Sequence, residues 1–326
     1  IMSNLFIGIM SGTSRDSLDA CLVDFTDHFE IIATETLDFH PNYKTSVEIP
    51  FISSEITNKS VEIVKNLIHK SSMSKSKIVG IGFSGQTISH DDHQSLQAGD
   101  PKKISKLTNI DVFSDFRNKN IAEGGRGAPL IPDFHKYIFS ETGKRKLIIN
   151  IGGISNGTYL DGENIAAASD IGPGNCLLDF VMTSSQLGDY DEDGQIASNG
   201  TINNLIKDQL MSSFMNMGYP RADDITAYIE PLLTRFEEYK KIPVNELLRT
   251  LVEVTAEKIK EFYEYCDYPD EVILHGGGTL NKTLMKSIAE KVKTDIKTTD
   301  HIVPSRYMES SAFAYLAYAD KGVLFK

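Results

Sequence analysis

No stretch of this 326-residue chain approaches the roughly 18–20 consecutive apolar residues that a membrane-spanning helix needs, so none is expected. Positive charge is also short: 33 Lys and Arg stand against 45 Asp and Glu, for a net charge of -12. Nucleic acid and anionic membrane both require a basic face that releases counterions, so both are disfavoured as partners. Small anions stay admissible, because a phosphate is held by local N–H groups, helix N-termini and a metal ion rather than by global charge. Cysteine is scarce. Cys21, Cys176 and Cys266 lie far apart with no CxxC pair, which points to free thiols in a reducing cytoplasm rather than a disulfide framework. The opening residues, IMSNLFIG, contain no basic segment followed by a long apolar core, so no secretory leader is expected there, and Met2 reads as the natural start. At 40% hydrophobic and 24% charged, the chain should be globular, with two domains as the prior.

What the chain does have is a repeated punctuation. Three short apolar runs each end in a glycine- and hydroxyl-rich turn: FIGIMSGTSRDSLD (6–19), LIINIGGISNGTYL (147–160) and EVILHGGGTLN (271–281). Glycine lets backbone N–H groups approach a phosphate, and Thr13, Ser14, Ser155 and Thr158 would add hydroxyl donors. The pattern predicts a split nucleotide cleft in which two similar lobes clasp one polyphosphate and close over it. Strands are expected over 4–10, 20–25 and 29–38, followed by a helix over 59–70. The same series restarts with LIINIGG, SNGTYL and ENIAAAS, then helices at 175–187 and 202–215. The clearest helix is 243–266, with Leu248, Leu251, Val252, Ile259 and Phe262 on one face, and two further amphipathic helices follow near the end. This is a duplicated α/β topology, with the chain crossing between lobes near Pro129–Pro132 and His301–Ser305.

Several phosphate and metal motifs can be set aside. No G-x-x-x-x-G-K-[ST] string occurs, and GIGFSG (80–85) is followed by a polar stretch rather than the helix a dinucleotide fingerprint requires. His90, Asp91, Asp92 and His93 read as a solvated loop, and no metal-ligating residues are assigned. The chemistry is better placed in ASDIGPGNCLLDF (168–180). There Gly172, Pro173 and Gly174 should force a tight turn, Asn175 should cap the next helix, and Asp170 should sit just ahead of its N-terminus. The helix dipole and N–H donors would keep that carboxylate ionised, ready to take a proton from water or a hydroxyl, although a plain turn aspartate is an equal reading. Asp179 is placed to support the loop or a hydrated magnesium ion, and Glu309 is a second acid of interest because it borders a nearly uncharged helix.

MSGTSRDSLD, SGQT with LQAGDP (84–101), DFRNKNIAEGGRGAPLIPDFH (115–135), NIGGISN, DIGPGN, DEDGQIASNG (191–200) and HGGGTLNKTLM (275–285) together resemble the anhydro-N-acetylmuramic acid kinases, in the family's order. Departures from that pattern are Ser17 for a usual Gly, Ser84 for a usual His, and Arg126 within GGRGAP. The resemblance implies an α/β, duplicated actin-like ATPase (ribonuclease H-like) fold, two lobes with a central nucleotide cleft. It also implies a phosphotransferase that uses ATP, Mg2+ and water to convert the small molecule 1,6-anhydro-N-acetylmuramic acid to N-acetylmuramic acid 6-phosphate in murein recycling. A homodimer is compatible with it.

By position, Gly12, Thr13, Ser14, Arg15, Asp16, Ser17, Leu18 and Asp19 then match the phosphate loop, with Gly152, Gly153, Ser155 and Asn156 as its counterpart in the second lobe. Gly276, Gly277 and Gly278, with Asn281, match the loop against the nucleoside, and Asp170 matches the base. Gln86, Thr87, Asp115, Arg117 and Glu309 fall in segments that line the family's sugar pocket. Arg117 is the candidate partner of the lactyl carboxylate, with Arg126 as the alternative. Two other readings stay open: an ordinary hydroxyl or acetate-type kinase of the same fold, and a non-catalytic ATP-binding regulator.

Overall fold

The computed structural model describes residues 4–12, 15–90, 93–215 and 217–326. Its strands, in chain order, are β1 (Leu5–Ser11), β2 (Ser17–Asp24), β3 (Glu30–Asp38), β4 (Ile78–Phe83), β5 (Gln86–His90), β6 (Ser95–Ala98), β7 (Val112–Ser114), β8 (Arg145–Ile151), β9 (Ile154–Asp161), β10 (Asn164–Pro173), β11 (Glu271–His275), β12 (Asp295–Thr298) and β13 (Val323–Phe325). The chain divides into two compact units, Ile1–Phe134 with Arg306–Lys326, and His135–Ser305.

In the first unit β1, β2 and β3 pair antiparallel, while β4 and β7 continue the sheet in parallel and β13 adds an antiparallel edge. Alternation along β1 sends Ile7 and Ile9 to a face shared with Leu18, Leu22 and Ile81. The helix Ile49–Ser71 covers that face. It starts ten residues ahead of the stretch whose spacing announces it, because Pro50 is compatible with a helix's first turn. The helix Pro101–Thr108, capped by Asp100 accepting from the Lys103 N–H at 2.9 Å, packs beside it.

The opposite face takes the helix Met308–Tyr318. This helix is not amphipathic as its spacing suggested, since Met308, Ser310, Ser311, Ala312, Phe313, Ala314, Leu316 and Ala317 are all buried. Two glycines make room for it. A Cβ on Gly8 would lie 1.8 Å from the Ser310 carbonyl oxygen, and one on Gly82 would lie 2.0 Å from that of Phe313. After β4 the chain enters the β5–β6 hairpin rather than a helix, so GIGFSG does not open a dinucleotide fold.

The second unit repeats the plan. Its order β10-β9-β8-β11-β12 matches β3-β2-β1-β4-β7 position for position, three antiparallel strands and then two parallel ones. The helix Val244–Tyr265 fills its core, with Leu248, Leu251, Val252, Ile259 and Phe262 buried among Leu147, Ile149, Leu178 and Val272. All three cysteines are free and buried. Among the described residues no helix is long and apolar enough to cross a membrane.

The glycine contacts give a stability test. Gly8→Ala should cost about 1–3 kcal/mol or more, because the obstacle is backbone and cannot rotate away. Gly218→Ala, whose Cβ would meet nothing within 4 Å, should leave the melting temperature nearly unchanged. Equal melting temperatures for the two variants would contradict this packing.

Candidate active site

The site grows out of strand register in the second unit. His275, Asn150, Asn156 and Asp170 are register partners across β11, β8, β9 and β10, a polar row that crosses the sheet. Between Asp170, opposite Asn156, and Gly172, opposite Ser155, the register shifts and leaves Ile171 as the extra residue of a bulge. Bulges bend a strand and re-aim its side chains.

Asp170 is therefore a strand residue, which corrects the expectation that it stands just ahead of a helix N-terminus. The helix begins at Cys176, and Asn175 provides no side-chain cap. The reason lies in the turn. The N–H groups of Gly174 and Cys176 donate to the Gly153 carbonyl at 2.9 and 3.1 Å, and that of Asn175 to the Gly152 carbonyl at 2.8 Å. A Cβ on Gly174 would sit 2.2 Å from the Gly152 oxygen, so only glycine permits this contact between the two turns.

The surroundings of Asp170 come from a segment that carried no sequence signal, Met217–Tyr228. The Asp170 N–H donates to the Arg221 carbonyl at 3.0 Å, and the Asp223 N–H donates to Asp170 Oδ2 at 2.7 Å. The Arg221 N–H donates to Ser169 Oγ at 2.9 Å. The Arg221 side chain pairs through Nε with Asp223 Oδ2 at 2.7 Å, donates to the Met217 carbonyl at 2.9 Å and also to the Ile171 carbonyl, and lies 4.5 Å above the Tyr219 ring. Tyr228 donates its hydroxyl to the same Asp223 oxygen. Burial pushes the Asp170 carboxyl from 3.8 up to about 6; the Asp223 N–H opposes this, the Asp223 carboxylate adds to it and Arg221 opposes it. The dipole-stabilised carboxylate expected from sequence is thus corrected: withdrawal from water dominates here, and the Asp223 N–H and Arg221 offset it only in part.

The other glycine turns are built as tightly. Gly276 has φ 90, and a Cβ there would lie 2.3 Å from Asn150 Oδ1; one on Gly278 would lie 2.2 Å from the Ile151 side chain. Gly277 and Gly153 have open space by comparison, with nearest atoms at 4.0 and 3.5 Å. Asn281 accepts from the Leu284 N–H at 2.9 Å, capping the helix Lys282–Lys291. Asn281 and Thr283 both contact Gly194, beside a cavity of about 390 Å³ lined in part by Asp193, Gln195, Arg249, Lys282 and Lys286. Ser155 and Thr158 do not present hydroxyls outward. Ser155 is fully buried with no partner for Oγ among the described residues, and Thr158 bonds His135 Nδ1 at 2.9 Å, with His135 Nε2 in turn 3.1 Å from His275 Nε2. Three residues apart on β9, they point to opposite faces of the sheet, and each is buried there.

In the first unit Thr13 and Ser14 lie outside the described residues. The Gly12 carbonyl accepts from the Arg15 N–H at 3.1 Å and from Gln86 Nε2 at 3.3 Å. Gln86 is buried, and its Oε1 takes the hydroxyls of Ser11 at 2.6 Å and Tyr43 at 3.2 Å. Arg15 has a left-handed φ, 55, and it donates to the Ser46 carbonyl at 2.8 Å. Ser17 instead pairs with Asp38 in extended β structure, where a side chain costs nothing. Asp16 is exposed against Lys44, Leu18 is a core residue whose side chain is unavailable to ligand, and Asp19 accepts from Thr36 Oγ1 at 2.6 Å and Arg306 Nε at 2.9 Å.

Thr87 lies half-buried on β5. Asp115, at φ 53, accepts from Asn118 Nδ2 at 2.6 Å, and Arg117 donates to the Gly127 carbonyl at 3.0 Å. Burial lowers Arg117 and raises Glu309, and the charge of each opposes the other's shift. Arg126 is exposed. Asp91 and Asp92 fall outside the described residues, among which no three His, Cys, Asp or Glu are grouped to hold a metal ion.

The family profile "Anhydro-N-acetylmuramic acid kinase" matches residues 4–322. The anhydro-N-acetylmuramic acid kinase of Shewanella frigidimarina is 35% identical over 96% of this chain and 90% of its own. That of Shewanella loihica is 35% identical over 97% and 92%. Among solved structures, the activator of the 2-hydroxyisocaproyl-CoA dehydratase from Clostridium difficile, with bound ADPNP, aligns over 97% of this chain and 95% of its own at TM-score 0.54 and 13% identity. Component A of the Acidaminococcus fermentans (R)-2-hydroxyglutaryl-CoA dehydratase aligns over 97% and 98% at TM-score 0.55 and 12% identity. The fold is that of the actin-like ATPases.

The raised carboxyl of Asp170 makes a signed stability prediction. The native state holds its proton more tightly than the unfolded chain between about pH 4 and pH 6, so the parent loses stability across that window as pH rises. Above it the native protein carries a buried charge that Asp170→Asn lacks. The variant should melt higher than the parent at pH 7, and the gap should close on acidification toward pH 4. A gap independent of pH would contradict the burial argument.

Proposed function

The chain belongs to the anhydro-N-acetylmuramic acid kinase family, kinases of cell-wall recycling, and from that premise we propose how its residues divide the work. The bridged sugar has no free 6-hydroxyl. Its O6 becomes a phosphoryl acceptor only as the C1–O6 bond breaks, through an oxocarbenium-like state. Water attacks C1 and passes a proton to Asp170, while O6 leaves with the bond's electron pair and takes the γ-phosphoryl group of ATP, releasing ADP. The observation that carries this role is the state of Asp170: half-buried, gripped at Oδ2 by the Asp223 N–H, and, among the described residues, without a donor at Oδ1. A carboxylate raised to about 6 is a stronger base than an ordinary aspartate and is still ionised at neutral pH.

Arg117 is assigned to the lactyl carboxylate, with Thr87, Asp115 and Glu309 as further sugar contacts and Gln86 reaching the sugar only through its remaining Nε2 hydrogen. Phosphates are assigned to Gly12–Asp19 and Gly152–Asn156 and the nucleoside to Gly276–Gly278, beside the cavity at Arg249 and Lys282. Magnesium fits these residues only as an ion held chiefly by phosphate and water, given that the described acids form no cage. Bound with ATP, it would neutralise charge on the transferring group. Three buried thiols and a need for ATP suit the cytoplasm.

Asp170→Asn keeps the shape and the Asp223 hydrogen bond but cannot take a proton. Turnover should fall by about 10²–10⁴-fold with ATP affinity little changed. Near-parental turnover would remove Asp170 from the mechanism.

A further inference from the structure

We propose that Arg221 and Asp223 are a positioning pair for Asp170, fixing its rotamer and setting its ionisation from two sides; the proposal rests on the reading of Asp170 as the base. The backbone of this segment grips Asp170 twice, accepting its N–H at the Arg221 carbonyl and donating the Asp223 N–H to Oδ2. Two contacts on one residue, one to main chain and one to the carboxylate, leave the side chain little rotational freedom and direct Oδ1 away from the segment.

The Arg221 side chain in turn fixes the segment. Its guanidinium reaches the Asp223 carboxylate, the Met217 carbonyl and the carbonyl of Ile171, the extra residue of the bulge that aims Asp170. A lysine could serve only part of this set, because it lacks the planar fork. With only 10% and 6% of their side chains exposed, Arg221 and Asp223 carry a desolvation cost that an apolar pair of similar volume would avoid. Rigidity alone does not require the ion pair. What charge adds is an electrostatic setting at Asp170, where Asp223 favours the protonated form and Arg221 the ionised one.

The other groups near the bulge contribute less. Asn156, across the strand pair, is neutral. Lys258, on the helix Val244–Tyr265, lays its methylenes against Gly172 and turns its ammonium to Glu261, while Tyr219 and Tyr228 face Arg221 rather than Asp170.

The test uses the full chain with Asp223→Asn, Arg221→Gln and Arg221→Lys. The Asp170 carboxyl is titrated by ¹³C-aspartate NMR, its signal assigned with Asp170→Asn, beside pH profiles of kcat/KM and the KM for ATP. Asp223→Asn should move the Asp170 midpoint down and Arg221→Gln should move it up, each on the order of half to one unit. The acid limb of kcat/KM should follow each shift. Arg221→Lys keeps the charge but loses the fork, and kcat should fall about tenfold or more with the KM for ATP unchanged, because no ATP contact is removed. Folded variants whose Asp170 midpoint stays put, or moves the same way in both charge variants, would overturn the pair while leaving the base assignment standing. Midpoints that shift as expected while the acid limb does not would uphold the pair and sink the base. If Arg221→Gln does not fold, Asp223→Asn and Arg221→Lys still decide, through the downward midpoint and the loss in kcat.

Discussion

A carboxyl group withdrawn from water and held by one backbone N–H is the constraint around which the second unit is arranged. Asp170 could not be half-buried beside β9 without compensation, and the Asp223 N–H supplies it at 2.7 Å. That contact requires the Met217–Tyr228 segment to lie along the strand, which the Arg221 network secures. It also requires the strand to turn its side chain at the right place, which the Ile171 bulge secures. The same withdrawal from water that costs stability raises the carboxyl toward neutral pH, so the destabilising feature and the proposed basic one are a single fact.

Close backbone approach is the second theme. Gly174 and Gly276 each occupy a point where a Cβ would lie 2.2 to 2.3 Å from a neighbouring oxygen. These glycines first pack turn against turn within one unit, which draws carbonyls such as those of Gly152 and Gly153 into internal hydrogen bonds. The backbone is thereby fixed before any ligand arrives, and preorganised donors need no rearrangement when charge develops.

Much of this was legible in the chain. Apolar runs, the restart of the strand series and the stripe on 243–266 announced two similar α/β units, because period-two and period-3.6 patterns follow directly from burial. The glycine turns stood out because close backbone approach favours that residue, and Asp170 stood out through the glycine-proline turn that follows it. The rest was hidden by its physics. Ser155 and Thr158 read as donors but are buried on opposite faces of a sheet covered on both sides, which a hydroxyl count does not capture. Asn175 looked like a cap, yet the N–H groups of its turn meet carbonyls far back in the chain. The helix Met308–Tyr318 looked one-sided, but glycines on strands about 300 and 230 residues earlier let it sink into the sheet. Arg221 and Asp223 had no motif at all; only long-range folding brings them to Asp170, 51 and 53 residues away in sequence.

Placing the base on water rather than on a sugar hydroxyl has a consequence for every atom in the product. If Asp170 activates water toward C1 as the bridge opens, the oxygen that receives phosphate is the sugar's own O6. Turnover in ¹⁸O-labelled water, with the position of label in the sugar phosphate read by mass spectrometry and NMR, follows that oxygen directly. The account predicts label on C1 and none in the phosphate ester oxygen. Label in the ester oxygen would mean that water attacks at C6, and that Asp170 does not do the work assigned to it.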